Sequence, residues 1–146
     1  MSEQGLEVLE STYQKTQEWI GSLAAQSHLD KGDAYKALRA VLLTLRDRLP
    51  MEEAVHLGAQ LPMMLRGLYY DGWKPAQVPI KMSHDEFLHA VGQKIVTKGV
   101  VDPVRMTHDV LSVLERYLSD GELDNVKGIL PKELQSLWPV AQEAAT

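Results

Sequence analysis

Residues 45–73 read LRDRLPMEEAVHLGAQLPMMLRGLYYDGW, and residues 114–138, LERYLSDGELDNVKGILPKELQSLW, repeat much of it. Aligned without a gap, the two share Leu45/Leu114, Leu49/Leu118, Glu53/Glu122, Leu61/Leu130, Pro62/Pro131, Leu65/Leu134 and Leu68/Leu137. That is seven identities in 25 positions, where average residue usage gives about two. Leu57/Val126 and Tyr69/Trp138 match in character. An internal repeat therefore governs the architecture.

Outward from this frame the spacing is helical throughout. Leu6, Leu9, Tyr13, Thr16, Ile20 and Leu23 alternate steps of three and four, one stripe of a first helix that Trp19 widens. Asp33 is the expected N-cap of a second helix, with Leu38, Val41, Leu42, Leu45 and Leu49 inward and Arg39, Arg46, Asp47 and Arg48 outward. Pro50 resets the backbone and starts a short helix carrying Ala54, Leu57 and Leu61. Pro62 starts another, to about Tyr70, with Met64, Leu65 and Leu68 inward.

Residues 71–82 hold one Gly and two Pro without helical period and read as an ordered arm, pinned by Trp73, Val78 and Ile80. In the second half, Ser83 and Glu86 form a capping-box pattern ahead of Phe87, Leu88, Val91 and Ile95, and Gly99 ends that helix. Asp102-Pro103 starts the next, with Met106, Val110, Leu111, Leu114 and Leu118 as its stripe. Ser119 and Glu122 form a second capping-box pattern. Pro131 opens the last short helix, Pro139 stops it, and residues 140–146 are expected to fray. The expected fold is all-α, one globular domain over residues 1–146. It is a duplicated four-helix unit, two longer and two short helices per repeat, with copies at about 11–70 and 83–138.

Composition narrows the function classes. A formal net charge of −5 disfavours non-specific nucleic-acid binding, which needs clustered Lys and Arg. The absence of cysteine excludes disulfides, thiolate metal sites and cysteine nucleophiles, and suits a reducing cytosol. No basic segment leads into an apolar one near Met1, and no apolar run reaches the ~20 residues of a membrane span. The expected setting is cytoplasmic, with no membrane association.

The run RLP-x-EEA-x-x-L-x-AQLP followed by LRGLYYDGW resembles a bacterial family known as domain of unknown function 2267, over nearly the whole chain. The resemblance implies a small all-α bacterial protein built from a duplicated helical unit, and it brings no activity, substrate, cofactor or catalytic residue. The second repeat departs from the signature: Ser136-Leu137-Trp138 stands where Gly67-Leu68-Tyr69 does, with no Asp-Gly-Trp after it.

Two Glu-x-x-His pairs, Glu53/His56 and Glu86/His89, place carboxylate and imidazole on one helical face. With Glu18 and Glu115 they imitate the ligand set of carboxylate-bridged di-iron bundles. Against this, both glutamates fall in first helical turns, where capping and the helix dipole favour them, and the repeat partner of the first pair is Glu122/Asn125. Metal is not the favoured reading. Asp85 and His89 read as a surface pair, and His108-Asp109, adjacent on a helix, as pointing apart. No nucleophile elbow or phosphate loop is present. Met63, Met64, Tyr69, Tyr70 and Trp73 supply more apolar and aromatic mass than a short helix needs and form a candidate interaction surface. The preferred reading is a non-enzymatic interaction or scaffold module without cofactor, partnered by protein or by its own copy. The alternative is a small apolar ligand- or metal-binding protein with its site between the repeats.

Overall fold

Four longer helices form the centre of the molecule: α1 (Glu3–Ser27), α2 (Lys31–Arg48), α5 (His84–Lys94) and α6 (Pro103–Tyr117). In the computed structural model, which describes residues 3–95, 97 and 102–139, α1 packs on α2 and α6, α2 on α5 and α6, and α5 on α6. Short helices follow α2 and α6: α3 (Met51–Gln60) with α4 (Met63–Tyr70), and α7 (Asp120–Ile129) with α8 (Lys132–Gln135). The two sets of short helices meet where α3 lies against α7. No strand occurs among the described residues, and Gly99 and residues 140–146 lie outside them.

The leucine frame is core. Leu45, Leu49, Leu57, Leu61 and Leu65 are buried, as are Leu114, Leu118, Val126, Leu130 and Leu134. Each contributes about 1.5–3 kcal/mol by leaving water. Leu137 is buried while its counterpart Leu68 is half-buried. Four of these residues also end helices. Leu49, Leu61, Leu118 and Leu130 are C-caps in extended backbone, so each stops its helix while keeping its side chain inside. A following proline enforces this conformation after Leu49, Leu61 and Leu130.

The starts are mostly as the sequence predicts. Ser83 and Glu86 close a complete capping box, with Ser83 Oγ accepting from Glu86 N and Glu86 Oε1 from Ser83 N. Asp102 accepts from Val104 N at 3.0 Å ahead of Pro103. At α2 the cap is Asp30, which accepts from Asp33 N at 2.8 Å, so Asp33 belongs to the first turn. The helix starts a turn earlier because His28, at φ 59, has already ended α1 and Gly32 does not interrupt α2.

Five side chains run against their sequence pattern. Arg46, expected outward, is buried and donates through Nη1 to the carbonyls of Tyr69 and Asp71, each at 2.8 Å, while its Nε donates to Asp47. Met64, expected inward, is exposed, because its backbone N–H at the start of α4 is held by Thr12 Oγ1 of α1 at 2.9 Å. Leu6, Leu9 and Tyr13 are exposed although they continue the stripe that buries Thr16, Ile20 and Leu23. With 25 residues, α1 outruns the 18 of α2 and the 15 of α6, and its N-terminal half lies beside the start of α4.

The arm is held chiefly by its backbone. Ile80 N donates to Asp47 O at 2.8 Å while the Ile80 side chain stays exposed. Trp73 packs on the core and Val78 is half-buried.

Candidate functional site

The seam between α3 and α7 places the two glutamates of the repeat frame against each other. Glu53 is 6% and Glu122 8% exposed, on two helices that pack together, and each has a buried Oε1 with no donor among the described residues. Each occupies the third position of its helix, where a glutamate ordinarily reaches back to the N-cap amide. Neither does so here. The N-cap of α3 is Pro50, which has no N–H to offer. The N-cap of α7 is Ser119, whose N–H donates instead to Gln60 Oε1 of α3 at 3.3 Å. Thus the second capping-box pattern is only half realised: Ser119 Oγ accepts from Glu122 N at 3.2 Å, and the Glu122 carboxyl turns inward.

Burial, with the hydrogen bond to Glu53 and its charge, raises the Glu122 carboxyl to about 7. His56 Nδ1 lies 3.7 Å from Glu53 Oε2, as the Glu-x-x-His spacing predicts, and its imidazole is half exposed. An open groove of about 580 Å³ runs beside the pair, between Pro50, Glu53 and His56 on one side and Asp124, Asn125 and Ile129 on the other.

The second Glu-x-x-His pair is not brought to this place. Glu86 is engaged in its capping box on α5, which packs on α2 and α6. Glu115 is 3.2 Å from Lys127. Among the described residues no three His, Asp or Glu side chains are grouped to hold a metal ion. Asp85 lies 3.2 Å from His84, in place of the expected pairing with His89. Contrary to expectation, His108 and Asp109 do approach, at 3.4 Å. Buried Asp109 also accepts from Ser27 Oγ at 2.7 Å and Gln26 Nε2 at 3.2 Å, tying α6 to the end of α1.

The expected interaction surface divides in two. Tyr69 does not belong to a surface. It is buried, its hydroxyl donates to Ala54 O at 2.7 Å, and burial pushes its phenol well above the usual value. Tyr70 and Trp73 are half-buried and packed ring on ring at 5.4 Å. Gly72, at φ 73, turns the chain between them, so Asp-Gly-Trp is a turn that Arg46 holds through the carbonyls of Tyr69 and Asp71. The second half has Glu115 where the first has Arg46, and no Asp-Gly-Trp follows in its sequence.

Met63 and Met64 lie elsewhere, beside the overhanging half of α1. A groove of about 540 Å³ runs between Val8, Thr12 and Lys15 of α1 and Pro62, Met63 and Arg66 of the α4 side. Leu6, Val8, Leu9, Tyr13, Met63 and Met64 are each between 42 and 53% exposed. Sequence reading placed Leu6, Leu9 and Tyr13 on the apolar stripe of the first helix and did not single out Val8.

These features define a small helical protein in which a bundle of long helices carries a seam of short ones, with an apolar edge on its first helix. The chain belongs to the family described as uncharacterized conserved protein (DUF2267), whose model matches residues 16–137. No curated protein matches the chain. Among the described residues no helix is long and apolar enough to cross a membrane.

Proposed function

We propose that the protein is a non-enzymatic interaction module that self-associates through the exposed half of α1 and the start of α4. The observation that carries this reading is Leu6, Leu9 and Tyr13, half exposed on the same stripe that is buried further along. Alternating steps of three and four are the seam along which two like helices pair. A second copy offers an identical stripe, so one twofold contact covers both overhangs at once. Met63, Met64 and Tyr13 beside the stripe are residue types enriched in such contacts. Tyr70 and Trp73 are assigned to the turn and not to this surface.

The chain is also inferred to be two copies of one helical unit, with repeats at about 11–70 and 83–138 and the arm between them. Support comes from the matched burial of Leu45/Leu114, Leu49/Leu118, Leu61/Leu130 and Leu65/Leu134, and from the shared Leu-Pro helix breaks. A bacterial cytoplasm fits the lack of cysteine and the family resemblance.

Sedimentation of the whole chain tests the reading. The wild type is expected to reach a dimer at high micromolar concentration. Leu9→Glu with Tyr13→Glu should remain monomeric at an unchanged Tm, because both positions are half exposed. A monomeric wild type under those conditions refutes the proposal.

A further inference from the structure

We propose that Glu53 and Glu122 form a one-proton latch between α3 and α7, closed while the two carboxyls share a proton and loosened when it is lost. The geometry is that of two acids on helices that pack together, each more than nine-tenths buried and so placed to share a hydrogen bond. Such a bond needs one hydrogen, since two carboxylates have only acceptors to offer. Each side chain also has an Oε1 that finds no ordinary donor in the protein. The pair is therefore satisfied by its own proton or not at all.

The groups around the pair offer little else. On α3, His56 Nδ1 stands 3.7 Å from Glu53, and Glu52 borders the groove. On α7, Asp124 borders the same groove, Asp120 begins the helix, and Lys127 is engaged by Glu115 of α6. On α4, Tyr69 donates to Ala54 O, and Arg66 donates to the carbonyls of Gly58, Ala59 and Leu61 that end α3. Among the described residues no Lys or Arg forms an ion pair with either carboxyl. Losing the proton thus leaves two like charges facing each other across a buried seam, with the half-exposed His56 imidazole beside Glu53.

The sign follows from linkage. The Glu122 carboxyl titrates at about 7 in the folded protein, against 4.5 for an unperturbed glutamate. Between those values the native protein holds a proton that the unfolded chain has released, so stability falls as pH rises through this window and levels off above it. Loosening acts on the helices that wall the 580 Å³ groove, so access to that groove is coupled to pH near neutrality.

Thermal unfolding of the whole chain across this pH range, for wild type, E122Q, E53Q and H56Q, tests the latch. Glutamine replaces the shared proton with a permanent N–H donor. E122Q and E53Q should therefore match wild type at the acid end, unfold at higher temperature above neutrality, and lose most of the fall. H56Q should keep the fall. The carboxyl carbon-13 resonances of wild type supply an independent reading, with one titration expected near 7. The proposal is overturned if both resonances titrate in the ordinary carboxylate range, if the glutamine variants parallel wild type, or if H56Q alone abolishes the fall.

Discussion

Gln60, the last residue of α3, accepts the backbone N–H of Ser119, the N-cap of α7, through its side-chain oxygen at 3.3 Å. That single contact takes over the task Glu122 would perform in a capping box, and it crosses from one short-helix pair to the other. Removing it should return Glu122 to the helix end. Gln60→Ala is expected to lower the Glu122 carboxyl from about 7 towards its ordinary value and to flatten the pH dependence of Tm. The cost in stability should be at most about 1 kcal/mol, the net worth of one exposed hydrogen bond. Carboxyl titration by NMR checks both halves of this statement.

Arg46 holds the turn that follows α4. Its guanidinium is buried and satisfies the carbonyls of Tyr69 and Asp71. Arg46→Met would fill much of the space and leave those carbonyls and Asp47 without their donor, at a cost of about 2–4 kcal/mol. Lysine should rescue little, because one ammonium cannot reproduce the planar fork. Chemical denaturation of the three proteins measures the series. Arg46→Lys with wild-type stability would show that the fork geometry is unimportant.

Gly58 of α3 lies under the rings of Tyr69 and Tyr70. A Cβ there would stand 2.8 Å from Tyr70 Cζ and 3.1 Å from Tyr69 Cε2. Alanine is normally the better helix former by up to about 1 kcal/mol, so propensity alone predicts a gain. The contact should win, because Tyr69 is buried and tied to Ala54 O and cannot yield. Gly58→Ala is expected to destabilise by about 1–3 kcal/mol. A rise in Tm would mean the rings shift freely.

The start of α2 separates two aspartates three residues apart. Asp30→Ala should cost about 1 kcal/mol, since its carboxylate accepts the N–H of Asp33. Asp33→Ala should cost less, because Asp33 contributes only its charge near the helix start. The reverse order in equilibrium unfolding would restore Asp33 as the cap.

How much of this was legible without coordinates varies with how local the cause is. The helices, the Leu-Pro breaks, the caps at Ser83 and Asp102 and the leucine core follow from spacing and from single residues. Those choices are settled within one or two turns of chain. The carboxyl seam was half visible: Glu53/Glu122 is the one charged identity in an otherwise apolar frame. Each glutamate had a local explanation in capping, and that explanation concealed the other.

What the chain determined alone is the order of its helices, most of their breaks and the leucine frame they bury, because hydrophobic period and backbone chemistry are written residue by residue. Tertiary structure decided what stands opposite each face. Periodicity assigns Leu6, Leu9 and Tyr13 to an apolar stripe, yet the assembled helices leave them half exposed. Arg46 turns inward because two distant carbonyls await it there. Glu122 abandons its cap because Gln60, 59 residues earlier, has already filled it. In each case the deciding partner is remote in sequence, and no local pattern encodes it.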